Sequence, residues 1–378
     1  MEVYLDNAAT TVVHEEVAEL MTKVMREDYG NPSSLHKKGL TAEHYIRDAK
    51  EQIAKALRVQ PKEIFFTSGG TESNNWALIG AAMAHIRKGK HIITTSVEHA
   101  SVLNPLHYLE EQGFRVTYLP VSESGILSID ALKEAICEDT ILVSVMGVNN
   151  EVGAVQPLEQ VAEVIADANQ DILFHVDAIQ MFGKLPVYPK RQGIDLLSVS
   201  GHKLHGPKGI GFLYVKEKTK LKPLILGGNQ QSGYRSGTEN VPAIAGLGLA
   251  CEMRGSCEGR YEMERLKEHF ISELEAVPDC INHSGDAPHI ISVTFRGVRS
   301  EVLLHALEEK GIYVSSGSAC SSNKPELSGT LLNMGLSKED AEATLRFSLS
   351  FFTRQEELDY TVEVLKELLP KLRRFTRR

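Results

Sequence analysis

Between about residues 60 and 215 the chain alternates short β-branched runs with stretches of helical periodicity. Strands are expected at 63–67, 91–96, 115–120, 141–146, 172–177, 194–200 and 210–215. Helices are expected at 73–86, 129–136 and 158–168, with Ser128 as a cap and Pro157 in a first turn. This alternation restricts the region to an α/β domain around a mostly parallel sheet of seven strands. Polar clusters follow five of the strands: Ser68-Gly-Gly-Thr-Glu72, Glu98-His99, Asn149-Asn-Glu151, Asp177-Ala-Ile-Gln180 and His202-Lys203. Open α/β sheets bind ligands beyond the carboxyl ends of their strands, so these clusters are expected to converge.

The texture changes after about residue 250. Residues 252–274 read as a long charged connecting helix, 290–295 as a strand, 300–310 as a helix stopped by Gly311, and 312–315 as a short strand. Ser337 opens a further helix, and Thr353-Arg-Gln-Glu356 carries the full capping-box pattern for the last one. The division expected is a large α/β domain at 14–255 and a smaller α+β domain formed by 1–13 and 256–378. Residues 1–13 pack with the small domain or cross the junction.

A length of 378 residues suits two domains with sizeable cores. The net charge of −9 argues against direct nucleic-acid binding. No apolar run is long enough for a membrane, and the acidic start has no basic leader, so a cytoplasmic protein is expected. The cysteines, at 137, 251, 257, 280 and 320, form no CxxC, and neither a zinc site nor a disulfide framework is expected.

Two segments carry the strongest chemical signal. Lys203 ends an apolar strand in Ser198-Val-Ser-Gly-His-Lys-Leu-His-Gly-Pro-Lys-Gly209. A partly desolvated amine there suits covalent attachment of a carbonyl cofactor. Cys320 lies in Ser315-Ser-Gly-Ser-Ala-Cys-Ser-Ser-Asn-Lys324, among small polar residues rather than core residues. The pair points to pyridoxal phosphate (PLP) chemistry ending on a thiol. Asp177 would keep the pyridine nitrogen protonated, and Gln180 would bond the ring oxygen. Gly70 and Thr71, between a strand and a helix, suit the phosphate, with Ser200 and His202 completing the cradle. His99 can stack on the ring and move protons. Arg346, leading into an apolar strand, suits a substrate carboxylate, with Asn150 beside it.

Together with Tyr4-Leu-Asp-Asn-Ala-Ala-Thr-Thr11, Tyr29-Gly-Asn-Pro-Ser-Ser34 and Arg235-Ser-Gly-Thr-Glu-Asn240, these motifs resemble the cysteine desulfurases of the NifS/IscS group nearly end to end. The resemblance implies PLP-dependent transferase fold type I, the aspartate aminotransferase-like fold. It implies that Lys203 carries the cofactor and moves the substrate α-proton, and that Cys320 takes sulfur from L-cysteine as a persulfide, leaving alanine. It further implies a homodimer in which Thr238 reaches the phosphate of a second subunit. A segment at about 315–329 would hand sulfur to an acceptor protein for Fe–S assembly or thiolation of tRNA or a cofactor. Selenocysteine lyase, or another PLP-dependent lyase, is the alternative; a scaffold that has lost turnover is a third. Ser350-Phe351 stands where many relatives carry Gly-Arg, which leaves carboxylate binding and loop docking open. Ser321-Ser-Asn-Lys-Pro-Glu-Leu327 departs from the usual wording and leaves the acceptor open. The basic end (Lys371, Arg373, Arg374, Arg377, Arg378) reads as a helix terminus or a docking surface.

Overall fold

A computed structural model describes residues 1–168, 171–255, 257–316 and 327–376. Cys320 and most of the 315–329 run therefore lie outside the described residues.

In chain order the strands are β1 (Val3–Tyr4), β2 (Ile64–Thr67), β3 (His91–Thr95), β4 (Arg115–Leu119), β5 (Thr140–Met146), β6 (Leu173–Asp177), β7 (Leu196–Ser200) and β8 (Gly211–Val215). They continue with β9 (Cys280–Asn282), β10 (Ile290–Phe295), β11 (Ile312–Tyr313), β12 (Ser315–Ser316) and β13 (Thr344–Ser348). The seven-stranded sheet has the order β2-β8-β7-β6-β5-β3-β4. Its pairs are parallel except those of β8, which runs antiparallel to both neighbours.

Both faces of this sheet are covered, and side chains alternate between them with the period of two that a strand imposes. Phe212 and Tyr214 enter one core with Phe66 and Ile64, whereas Leu213 and Val215 enter the other with Phe65 and Trp76. The first core is roofed by Glu15–Arg26, Lys37–Leu57 and Val241–Met253, which pack together. The second is covered by the helical run from Gly70 to His85 and by Ala100–Glu111. That run starts three residues before the expected helix and contains a π-turn at Trp76–Gly80.

A four-stranded antiparallel sheet, β12-β13-β10-β9, has its own core, in which Phe270, Phe295 and Phe347 meet edge to face. Each fully buried phenyl of this kind contributes about 1.5–3 kcal/mol. Residues 1–13 do both things anticipated for them. Strand β1 pairs with β11, and the following residues cross to the large sheet, where Thr11 bonds the carbonyl of His202.

Three local expectations need correction. The connecting helix is not continuous from 252. One helix ends at Met253, Arg254 is extended (φ −47, ψ 148), and the next runs over Cys257–Glu275. Phe351 lies across Gly255 so closely that a Cβ there would sit 1.7 Å from its ring, which ties the break to the β13 exit. The last helix starts at Gln355, and the expected capping box does not form. Thr353 Oγ1 instead accepts from the N–H of Ser350, and Glu357 caps the N–H of Arg354. Pro157 stands at the N-cap rather than inside the first turn. Ser128 and Ser337 cap as expected, accepting from the N–H groups of Ala131 and Asp340.

Candidate active site

The carboxyl ends of β2, β3, β5, β6 and β7 open onto one cavity of about 290 Å³. Its lining includes Gly70, Thr71, His99, Asn150, Asp177, Gln180, Ser200, His202, Lys203 and Arg346. Residues separated by up to 276 positions are thus brought together, as the strand-end clusters predicted. Thr238 is exposed and lies outside this lining, and Cys320 lies outside the described residues.

Lys203 closes the short turn Gly201–Lys203 after β7. Its Nζ donates to the carbonyls of Ala8 and Ala9, each at 2.6 Å. The turn is pinned from outside. Thr11 donates through both its N–H and its hydroxyl to the carbonyl of His202, and His205 N–H donates to Thr11 Oγ1. The N-terminal segment therefore sets the position of Lys203. Sequence reading missed a second lysine behind it: buried Lys184 donates to the backbone carbonyl of Lys203. Burial, and secondarily the nearby Lys203, push the Lys184 amine down to about 7.

Asp177 ends β6 and is buried. Its Oδ1 accepts from the N–H of Ile179 (3.0 Å) and its Oδ2 from Asn74 Nδ2 (2.8 Å). Burial raises its pKa above the ordinary carboxylate value, against the pull of these bonds and of His99 and Lys203. Asn74 also donates to Ser101 Oγ (2.9 Å), which lies 2.8 Å from Nδ1 of His99. The same Nδ1 accepts the N–H of Ser101 at 3.1 Å. An acceptor role at Nδ1 leaves the ring proton on Nε2. Asn74 and Ser101 have no signal in the sequence beyond their closeness to the clusters.

Gly70 opens the helix Gly70–Asn75, whose first N–H groups have no partner within the helix. A Cβ at Gly70 would lie 2.2 Å from Ile179 Cδ1, so a larger residue here would have to displace the Ile179 side chain on the cavity wall. His202 bonds Thr10 Oγ1 through Nδ1 (3.1 Å). Burial and the surrounding lysines lower its pKa to about 4, so the ring is neutral near pH 7.

On the other wall Arg346, in β13, is buried. Its Nη2 pairs with Asp6 Oδ1 and its Nη1 donates to the carbonyl of Asn150, both at 2.9 Å. Its buried Nε has no hydrogen-bond partner among the described residues. Gln180 donates to the carbonyl of Ala8 (2.9 Å). Phe351 is absent from the lining and lies against Gly255 and His205. His175 and Asn149, although within the motifs, are structural. His175 bridges Ser144 and Ser198 across β5, β6 and β7, and Asn149 closes its own turn by accepting from Glu151 and Val152.

Residues 3–361 match the class-V aminotransferase family. The chain is 45% identical to the cysteine desulfurase IscS of Dictyoglomus turgidum, over 98% of this chain and 95% of that one. It is 46% identical to the cysteine desulfurase IscS of Methanosarcina thermophila, over 98% and 93%. Among solved structures, a NifS-like protein superposes with a TM-score of 0.92 at 39% identity, covering 98% of this chain and all (100%) of the other. SspA in complex with cysteine superposes at 0.83 and 39% identity, covering 94% and 100%. This chain therefore belongs to the class-V aminotransferase family and, within it, to the cysteine desulfurases of the NifS/IscS group.

Proposed function

We propose that this cysteine desulfurase holds PLP in the cavity at the strand ends and passes the sulfur of L-cysteine to Cys320 as a persulfide. The observation that carries the reading is the convergence on one cavity of an amine, a buried carboxylate, an imidazole and a guanidinium. The residues present fit the cofactor. Asp177 is a buried acid held by neutral donors, which a pyridinium N–H would compensate. The glycine at 70 keeps open a cradle that a Cβ would fill, beside neutral His202.

Lys203 would carry the cofactor, Asp177 and Gln180 would hold its ring, and Gly70, Thr71, Ser200 and His202 its phosphate. Thr238, exposed in the protomer, would complete the phosphate site of a second subunit in a homodimer. The bound group supplies an electron sink next to the substrate α-carbon.

The chain's own residues do the rest. Arg346 would donate to a substrate carboxylate from the cavity wall, its guanidinium held by Asp6 and the Asn150 carbonyl. Lys203 Nζ removes the α-proton. His99 would stack on the ring, with its own proton on Nε2. The Cys320 thiolate attacks the substrate sulfur, a new S–S bond forms, and the carbon–sulfur bond breaks. Its electron pair stays with the β-carbon, which takes up a proton, and the α-carbon takes back a proton from Lys203, leaving alanine. The persulfide then moves to an acceptor protein in Fe–S assembly or thiolation. The division into 14–255 and 1–13 plus 256–378 belongs to the same reading, since the cavity lies where the two sheets meet.

Borohydride reduction of the PLP-loaded enzyme tests the cofactor assignment. A pyridoxyl group fixed on the Lys203 peptide supports it; fixation on another lysine, or none, overturns it.

A further inference from the structure

At the end of the large sheet opposite the cavity, three side chains of metal-ligating type meet. His91 opens β3, Arg115 opens β4 and Thr140 opens β5, and the pairing of these strands sets them side by side. Cys137 and Asp139 lie in the turn that leads into β5. We propose that His91, Cys137 and Asp139 bind one soft divalent metal ion, with Zn²⁺ the fitting class.

The donor atoms all lie within 4.8 Å of one another. His91 Nδ1 is 3.1 Å from Cys137 Sγ, which is 3.2 Å from Asp139 Oδ1. Imidazole, thiolate and carboxylate are the donors that structural and catalytic zinc sites use. Tetrahedral bonds of about 2.0 Å to nitrogen and 2.3 Å to sulfur need a nitrogen–sulfur separation of about 3.5 Å. A small opening of the exposed turn supplies the difference. Water from the solvent side would be the fourth ligand, since Asp139 is exposed.

Two further features fit this assignment. The ring of His91 is buried, and its far nitrogen, Nε2, lies 2.8 Å from Thr117 Oγ1. With the Thr117 hydroxyl accepting from Nε2–H, the lone pair lies on Nδ1, an arrangement that outer partners of ligating histidines provide. The position between the sulfur and the carboxylate already holds a cation. Arg115 Nη2 lies 3.2 Å from Sγ and 2.8 Å from Oδ1. Its side chain is 56% exposed, so it can withdraw to solvent when a metal takes its place. The hydroxyl of Thr140 also reaches Nδ1 (2.8 Å) and accepts the N–H of Cys137, which it retains when Nδ1 ligates. Sequence spacing could not reveal this site, because it is assembled from two strand starts and a turn.

The test is titration of full-length, PLP-loaded Cys320→Ala protein with Zn²⁺ by calorimetry and with Co²⁺ by absorption. The Cys320→Ala background removes one competing thiol, and the Cys137→Ser arm tells whether the band comes from Cys137 or from another cysteine. One equivalent of metal with a thiolate-to-cobalt band is expected. Adding Asp139→Asn or Cys137→Ser is expected to weaken binding at least about tenfold, and adding Arg115→Gln to strengthen it. Asp139 is exposed, so its variant folds whatever happens at the buried positions. No stoichiometric binding, a cobalt spectrum without the thiolate band, or affinity unchanged from the Cys320→Ala parent on adding Asp139→Asn or Cys137→Ser overturns the proposal.

Discussion

Ser101 holds Nδ1 of His99 from two sides, with its backbone N–H at 3.1 Å and its hydroxyl at 2.8 Å. The hydroxyl in turn accepts from Asn74, whose Nδ2 also reaches Asp177. One short relay thus orients both the imidazole and the carboxylate that line the cavity. Ser101→Ala keeps the N–H and loses the hydroxyl, a bond worth about 1 kcal/mol. A several-fold fall in kcat is expected, with the KM for cysteine nearly unchanged and PLP retained, as steady-state kinetics would show.

Asp177 gives a test in which stability and binding separate. Burial raises its pKa, so its ionised form opposes folding of the apoprotein. Above the ordinary carboxylate pKa that cost grows until the folded pKa is passed. Asp177→Asn removes it. The apoprotein of this variant is expected to melt at or above the parent temperature at pH 7. Its PLP affinity should nevertheless fall at least about tenfold, because the ring nitrogen loses its counter-charge. Thermal melting with and without PLP reads both.

Gly70 and Ile179 are coupled sterically. A Cβ at Gly70 would approach Ile179 Cδ1 to 2.2 Å and Cγ1 to 3.0 Å. Gly70→Ala is expected to cost about 1–3 kcal/mol, the usual range for overpacking. Gly70→Ala with Ile179→Ala should recover part of that loss in denaturant unfolding, whereas two independent sites would add their costs.

Lys184 makes stability depend on pH in a direction that can be worked out. Its folded pKa, about 7, lies below the ordinary lysine value, so the unfolded chain binds the extra proton between the two. Stability from this group therefore rises as pH increases from about 7 toward about 10.4. In Lys184→Met that rise should be absent. Unfolding free energies at pH 7 and pH 9, compared between parent and variant, measure the difference.

Much of this was legible in the sequence because strand ends write their chemistry locally. The runs before Asp177 and Lys203 are apolar and β-branched, and the polar residues follow at once. What could not be read depends on contacts between distant segments. The carbonyls of Ala8 and Ala9 become ligands of Lys203 only because β1 pairs with β11 and sends the next residues across the junction. Lys184 has the appearance of a surface lysine until the fold buries it. The helix expected from 252 is interrupted at the extended Arg254 and at Gly255, which Phe351, about a hundred positions later, covers. The Thr353 capping box fails because a turn back to Ser350 takes the threonine hydroxyl first.

If sulfur leaves L-cysteine onto Cys320 in a PLP enzyme, removal of that thiol stops turnover and spares cofactor binding. Alanine and sulfide formation from L-cysteine with dithiothreitol, for the wild type and Cys320→Ala, with bound PLP followed by absorbance, measures both. Both proteins are expected to bind PLP, and only the wild type to release sulfide and alanine. Full activity in Cys320→Ala would contradict this expectation and place the chemistry on another nucleophile.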